Sequence, residues 1–275
     1  MIRSLLQSAR DEVLRPEPML RLYLKTRYGA KRPSELPRVN WENRTLTSRR
    51  EWEAAGAEVS RLGLPPHVSP PKNWDSLAAL HAILNSTTPA ANVLDAGGAK
   101  YSQILPWLYL YGYRNLTCIN LAFDRPAKWG PIRFEPGDIT RTRFADATFH
   151  AITCLSVIEH GVDVRGFFSE MSRILKPDGT LVVSVDYYPE PIDTRNQWSL
   201  GVPIHIFTRD EAVAALTLAE SLGLKSTSQV HLDCSEKTVR WPEAGLDFTY
   251  LTTTFKKDGL RQASDHGVFS EGQGS

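Results

Sequence analysis

A short turn between a strand and a helix holds the residues best placed for small-molecule chemistry. Residues 93–104 read VLDAGGAKYSQI, so an apolar strand runs into Asp95, two glycines and the start of a helix. Turns of this kind bind ligands because glycine lets the backbone approach closely and a helix N-terminus favours negative charge. Only Gly97 and Gly98 follow the acid, whereas the dinucleotide fingerprint needs three spaced glycines. The turn alone fits either a ligand crevice or a plain tight turn.

Strands alternate with helices from residue 91 onward, which predicts an α/β fold with a parallel sheet covered on both faces. The predicted strands are residues 92–96, 116–121, 151–157 and 180–186. Ser102, Asp163 and Thr208 are predicted to cap the helices that follow or separate them. Two later runs, 226–233 and 246–255, predict an antiparallel hairpin at one sheet edge.

The first 74 residues are predicted to form a helical extension with a lid. Apolar spacing predicts two short helices before Tyr28, separated by Pro16 and Pro18, and a proline-rich polar linker follows them. Basic residues flank the second helix, so an interfacial membrane helix is the alternative to a packing or lid helix. Asp75 is predicted to cap the helix that leads into the sheet.

Three regions follow from these patterns. We expect a helical extension and lid over residues 1–74, a cofactor-binding domain over 75–256, and a disordered tail over 257–275, where the sequence is polar and rich in glycine.

Bulk composition is that of a soluble globular protein. The 275 residues are 41% hydrophobic and carry a net charge of +1. Residues 1–64 hold 13 Lys and Arg against 8 Asp and Glu, which is too weak a basic bias for a nucleic-acid binder. The three cysteines are widely spaced and predict reduced thiols. With no apolar run near the ~20 residues of a membrane helix and no secretory signal, we expect a cytoplasmic protein.

Three further motifs follow the glycine turn: GDI at 137–139, SVIEH at 156–160 and LKPDGTLVVSV at 175–185. With these motifs, the series from Val93 to Val185 resembles the class I S-adenosylmethionine-dependent methyltransferases, especially the branch of small-molecule and ubiquinone-biosynthesis O-methyltransferases. The resemblance implies a Rossmann-like, doubly wound, mostly parallel seven-stranded sheet with an antiparallel C-terminal hairpin. It also implies S-adenosylmethionine as the cofactor.

The resemblance implies a cofactor site along one edge of the sheet. The residues implied for the methionine moiety are Asp95, Gly97 and Gly98. Asn120 is implied to face the ribose, and Asp138 and Ile139 to border the adenine. Leu155 is implied to lie near the sulfonium. The family usually has an acid where Asn120 stands, and a neutral amide binds hydroxyls less strongly, so we expect cofactor affinity lower by about tenfold. Tyr101 stands where the family usually has a small residue, so its ring must either point away from the cofactor or reshape the cofactor pocket.

Methyl transfer to a hydroxyl requires a base as well as an aligned acceptor. His160 and Asp186 are candidate bases at the ends of two predicted strands, and His205 in the run PIHIF is a third candidate. Either histidine could instead be structural. In the quinone methyltransferases an acid three positions before the Glu-His pair helps to hold a metal. Ser156 stands there in this chain, so we predict no metal.

The acceptor is predicted to be a small molecule or a glycan, bound under residues 187–206. Tyr187, Tyr188 and Trp198 offer flat apolar faces in this segment, and Trp241 offers another farther along the chain. Peripheral membrane contact remains a variant for a lipid or quinone acceptor, and the sequence does not determine the oligomeric state. One rival hypothesis is a catalytically weak or inactive scaffold with the same fold. Another is a nicotinamide-dependent oxidoreductase, which predicts a third glycine that this turn lacks.

Overall fold

The structure is a computed structural model that describes residues 2–39, 41–199 and 201–259. Most of the tail predicted to be disordered, residues 260–275, lies outside this range. The helices of the described part are α1 (Ile2–Leu14), α2 (Glu17–Tyr28), α3 (Arg49–Arg61), α4 (Lys72–Ser86), α5 (Ile104–Leu110), α6 (Val164–Ile174) and α7 (Arg209–Ser221). Its strands are β1 (Arg44–Thr45), β2 (Asn92–Ala96), β3 (Asn115–Asn120), β4 (Ala127–Trp129), β5 (Ile132–Pro136), β6 (Phe149–Leu155), β7 (Leu175–Tyr187), β8 (Trp198–Ser199), β9 (Val202–Pro203), β10 (Leu224–Ser226), β11 (Val239–Trp241) and β12 (Leu246–Lys257).

A single large sheet organises the chain. Its strand order is β1-β12-β7-β6-β2-β3-β5-β4, and the five strands from β7 to β5 are mutually parallel. The strand β12 joins β7 antiparallel along most of its length, with Tyr250 opposite Asp186. The predicted Rossmann-like architecture is confirmed. The sheet has ten strands in the described part rather than seven, because short edge strands add to the main set.

The strand order reverses beside β2. The chain passes from β2 outward through β3 to β5, and then returns to the other side of β2 to form β6 and β7. In open α/β sheets, ligands bind at the carboxyl ends of the strands at such a switch point, because the connections there diverge to opposite faces. The crevice is therefore expected between the ends of β2 and β6.

Helices cover both faces of the sheet, as the sequence predicts. Val93 and Leu116 pack into a core with α3, α4 and α5, whereas Leu94 and Ile119 pack into a second core with α6 and α7. Successive residues of a strand point to opposite faces, so a strand buried on both sides reads as a continuous apolar run.

The C-terminal hairpin differs from the prediction in its first strand. The run 246–255 forms β12, but the predicted partner over 226–233 is mostly irregular. The strands β10 and β11, on either side of that run, pair with β12 instead, and β1 joins the same edge. Polar and apolar residues alternate in part of 226–233, as they do in many strands. The free edge of β12 is instead paired with β1, β10 and β11.

Two predicted helix caps are wrong and two are confirmed. Asp163 and Thr208 accept backbone hydrogen bonds at the starts of α6 and α7. Asp75 lies within α4 and is fully buried, and Ser102 accepts from the amide of Ala99 before α5 begins.

The N-terminal region packs against the sheet, since Asp11 in α1 accepts from the indole N–H of Trp129 in β4 at 2.9 Å. Trp74 is fully buried and stacks on Trp41, whose indole N–H donates to the Trp74 carbonyl at 3.1 Å. No helix in the described ranges combines the length and apolar character needed to cross a membrane.

Candidate active site

The glycine turn after β2 leaves no room for a side chain at either of its two glycines. Gly97 has a φ of +81°, which favours glycine, and an added Cβ would lie 2.4 Å from a methyl group of Val157. An added Cβ on Gly98 would lie 1.9 Å from a carboxylate oxygen of Asp95. Both positions therefore require glycine, one for its backbone angle and both for the close approach of a neighbour.

Asp95 lies beneath this turn and is 2% exposed. Its Oδ1 accepts from the Thr153 hydroxyl at 2.8 Å, while its Oδ2 is buried and finds no hydrogen-bond partner among the described residues. Burial raises the pKa of Asp95 to about 6, because a charged carboxylate loses its hydration there. An unpartnered buried oxygen at a ligand crevice is suited to receive a donor from a bound molecule.

Asn120, at the end of β3, forms hydrogen bonds with the backbone of the glycine turn. Its amide nitrogen donates to the carbonyls of Gly97 and Gly98 at 2.7 and 3.0 Å, and its Oδ1 accepts from the amide of Ala122. The ribose contact inferred from the resemblance remains a prediction, and it would use the remaining acceptor capacity of Oδ1. The next residue, Leu121, is 75% exposed and offers an apolar surface at the same edge.

The other residues predicted to contact the cofactor also follow or end strands at this edge of the sheet. Asp138 follows β5, and its Oδ1 accepts from both the amide and the hydroxyl of Thr140. Ile139 is buried beside it, and Leu155 ends β6 in a half-buried position. Tyr101 is 59% exposed and packs edge-on against His67, so its side chain lies at the surface.

A second polar cluster lies at the ends of β6 and β7. Asp186 is 6% exposed, and its Oδ1 accepts from the Ser156 hydroxyl at 3.1 Å. Its backbone N–H donates to Glu159 at 3.1 Å. Burial raises the pKa of Asp186 to about 6, while the positive charge of Lys72 acts in the opposite direction. The carboxylate is thus mostly ionised at neutral pH and still basic enough to accept a proton.

Glu159 and His160 leave buried polar atoms unused in this cluster. Glu159 is 1% exposed, and burial together with the charge of Asp186 raises its pKa well above the usual range. Its Oε2 and the Nδ1 of His160 find no hydrogen-bond partner in the part of the chain that the structure describes. Burial and the charge of Lys72 lower the pKa of His160, which favours the neutral imidazole.

The remaining candidate base, His205, has other partners. Its Nε2 lies 3.0 Å from a carboxylate oxygen of Glu211, and its ring packs against Phe207. No hydrogen bond joins His205 to the Asp186 cluster within the described residues. Its role as a base stays a prediction.

Two residues of α4 complete the cluster and were not among the predicted site residues. The Nζ of Lys72 contacts Asp75 and lies 2.8 Å from the Ser156 hydroxyl. Asp75 is fully buried and accepts from the Ser184 hydroxyl at 2.6 Å. The three-residue spacing of the lysine and the aspartate on a helix was the available signal, but their partners lie 84 to 109 residues away.

The aromatic residues of the segment predicted to cover the acceptor differ in their exposure to solvent. Trp198 is 67% exposed, whereas Tyr187 is fully buried and its hydroxyl donates to the Leu232 carbonyl at 2.9 Å. Tyr188 is half-buried, with the amine of Lys237 lying 4.7 Å from its ring centre. No group of three or more His, Cys, Asp or Glu suited to a metal ion occurs in the described ranges.

Comparison with known proteins agrees with this geometry. Residues 94–183 match the family model described as a methyltransferase domain. A demethylmenaquinone methyltransferase of Deinococcus radiodurans is 42% identical over 117 residues, which cover 41% of this chain and 48% of that protein. The chain therefore spans about half the length of this curated relative.

Solved structures share the fold at low sequence identity. A geranyl diphosphate C-methyltransferase from Streptomyces coelicolor has a TM-score of 0.51 at 16% identity, covering 83% of this chain and 90% of that one. A geranyl diphosphate methyltransferase solved with S-adenosylmethionine also has a TM-score of 0.51, at 17% identity, with coverage of 75% and 90%. The motifs, the sheet order and the family match agree, and residues 94–183 are similar in sequence to methyltransferase domains.

Proposed function

We propose that this chain transfers a methyl group from S-adenosylmethionine to a hydroxyl group of a small-molecule or glycan acceptor. The observation that carries the proposal is the placement of Asp186. This buried carboxylate, with its raised pKa, ends a strand at the same sheet edge as the glycine turn. A hydroxyl acceptor needs a base at such a position, whereas a more nucleophilic acceptor does not.

The residues at this edge fit the cofactor. The turn at Gly97 and Gly98 has no room for side chains, and Asp95 keeps one buried oxygen without a partner in the described structure. Exposed Leu121 provides an apolar face for a nucleobase, with Asp138 available for its polar edge. Asn120 and Leu155 would border the ribose and the sulfonium.

The chemistry divides simply between the cofactor and the protein. When bound, S-adenosylmethionine supplies an electrophilic methyl group on its sulfonium. Asp186 would accept the hydroxyl proton of the acceptor and so leave an oxygen lone pair to act as the nucleophile. The cofactor would give up its methyl group to that oxygen as the carbon–sulfur bond breaks, and the bonding electron pair would stay on sulfur in S-adenosylhomocysteine. Burial raises the pKa of Asp186 to about 6, so the carboxylate is still the main form at neutral pH. Neutral His160 is the alternative base in the same cluster.

The acceptor class rests on the surroundings of this cluster. Tyr188 and Trp198 present aromatic faces in the segment after β7, which suit a sugar ring or an aromatic acceptor. A relative named for demethylmenaquinone supports a small-molecule acceptor. A catalytically weak or inactive scaffold is the second candidate, because both amide hydrogens of Asn120 are already donated to the glycine turn.

Calorimetry with S-adenosylmethionine tests the cofactor site with a matched pair of variants. Gly97 and Gly223 have φ values of +81° and +80°, but an added Cβ meets Val157 only at the first position. We expect Gly97→Ala to weaken cofactor binding by at least about tenfold, while Gly223→Ala keeps the wild-type affinity. A wild-type protein that binds no cofactor at millimolar concentration would support the scaffold candidate.

A labelled-methyl assay tests the acceptor atom. Wild-type protein and Asp186→Asn are incubated with methyl-labelled cofactor and a panel of phenols, quinols, sugars and amines. We expect an O-methyl product, identified by mass spectrometry and NMR, and a large loss of its formation in Asp186→Asn. A product methylated at nitrogen or carbon would overturn the hydroxyl assignment.

A further inference from the structure

Lys72 connects the N-terminal region of the chain to the ends of two central strands. It is the first residue of α4, and its side chain is only 13% exposed. The Nζ contacts Asp75, lies 2.8 Å from the Ser156 hydroxyl and stands 4.6 Å from the ring centre of Tyr250. A cation so deeply placed needs partners, and all of its partners belong to the cluster around Asp186.

Ser156 links Lys72 to Asp186 in a fixed direction. A lysine ammonium can only donate and a carboxylate can only accept, so the serine oxygen accepts from Lys72 and its hydroxyl donates to Asp186 at 3.1 Å. The backbone of Ser156 has a φ of +52°, which is unfavourable for a residue with a side chain. Such conformations concentrate at functional sites, where the surroundings hold them in place.

The charges that face Asp186 come from several elements. Burial and the charge of Asp75 on α4 raise its pKa, whereas Lys72 and the hydrogen bonds with Glu159 and Ser156 lower it. His160 follows Glu159 in the turn after β6, and Tyr250 stands opposite Asp186 on β12. Burial raises the pKa of Tyr250 well above its usual range, so its phenol stays neutral. The positive charge nearest to this carboxylate in the described network is that of Lys72.

We propose that Lys72 is a positioning residue, which acts through Ser156 to orient Asp186 and to keep it ionised as the base. The inference rests on the proposed function for the role of Asp186, but the interaction itself exists without cofactor or acceptor. It gives the N-terminal region a part in the acceptor site. The ionised carboxylate is held in place by a donor hydroxyl, and the proton that it accepts comes from the acceptor hydroxyl.

The test measures the pKa of Asp186 directly, in the protein without cofactor. The carboxyl carbons of aspartate are labelled with carbon-13, the Asp186 resonance is assigned with Asp186→Asn, and its shift is followed by NMR between about pH 4 and 9. The Ser156 oxygen lies 2.8 Å from the Lys72 amine and 3.1 Å from Asp186, and the charge of Lys72 lowers the pKa of Asp186. We expect Lys72→Met to raise the proton affinity of Asp186 at least tenfold, because a nearby opposite charge typically lowers a carboxyl pKa by about 1–3. Lys72→Arg should restore most of the wild-type value, and the exposed Lys128→Met is the matched control.

A second variant keeps the test decisive where Lys72→Met does not fold. Ser156→Ala removes the hydroxyl bridge but leaves the lysine in place, and we expect a smaller rise in the proton affinity of Asp186. An Asp186 titration identical to wild type in whichever of these variants folds would overturn the proposal. Cofactor binding by calorimetry is a separate measurement, so failure of the methyltransferase assignment and failure of the Lys72 role remain distinguishable.

Discussion

Replacing Asp95 by asparagine should change how the stability of this protein depends on pH. Asp95 is buried under the glycine turn, where burial raises its pKa from 3.8 to about 6. The difference of about 2.2 corresponds to about 3 kcal/mol of unfolding free energy, at about 1.36 kcal/mol for each pKa unit. The folded protein binds this proton more tightly than the unfolded chain. Asp95 therefore lowers the free energy of unfolding least below about pH 4, where its carboxyl is protonated in both states. Stability is then lost as the pH rises from about 4 to 6, and the full cost remains above that window.

The assay is equilibrium urea unfolding of the wild type and Asp95→Asn at several values between pH 4 and 8. Asparagine cannot ionise and can still accept from Thr153, so the variant should become relatively more stable by about 3 kcal/mol across this range. Asp186 titrates in the same window, but its contribution cancels in the difference between the two proteins. The exposed substitution Asp124→Asn is the control. If the curves of wild type and Asp95→Asn run parallel from pH 4 to 7, the argument from burial is refuted.

Two further predictions concern the stability of the N-terminal region and of α7. In the wild type, the buried amine of Lys100 lies 2.6 Å from a carboxylate oxygen of Asp11. Asp11→Ala should lower the free energy of unfolding by about 3 kcal/mol, because it leaves this amine without its partner. Glu12→Ala breaks only an exposed ion pair and should lower the free energy of unfolding by less than about 1 kcal/mol. If urea unfolding shows equal losses for Asp11→Ala and Glu12→Ala, the buried pair does not stabilise the protein as argued. Thr208→Ala removes the capping box of α7 and should cost about 0.5–2 kcal/mol. Its thermal midpoint is compared with that of Thr217→Ala on the same helix, and an unchanged midpoint in Thr208→Ala would show that the cap contributes nothing.

Elements that depend on local signals were predictable. The strands expected at 92–96, 116–121, 151–157 and 180–186 correspond to β2, β3, β6 and β7, since apolar runs bounded by turns mark buried parallel strands. Asp163 and Thr208 cap their helices through bonds to residues two or three positions away. Such contacts are encoded within a few residues of sequence and need no knowledge of the fold.

Predictions failed where distant segments compete for the same partner. Aspartate is a residue type that commonly caps helices, but Asp75 lies within α4. Its carboxylate is instead satisfied inside the protein by Ser184 and Lys72. The run 226–233 has the alternation of a strand, but β10 and β11 occupy the edge of β12.

The sequence by itself determined the class of fold and the position of the glycine turn, because periodicity, glycine positions and motif spacing are local properties of the chain. Asp95, Gly97 and Gly98 were identifiable in this way. Only the tertiary structure decided that Lys72 reaches Asp186 through Ser156 and that Asn120 braces the glycine turn. Those contacts join residues far apart in the chain, and burial, which sets the pKa of Asp186, exists only once the sheet and its covering helices are assembled.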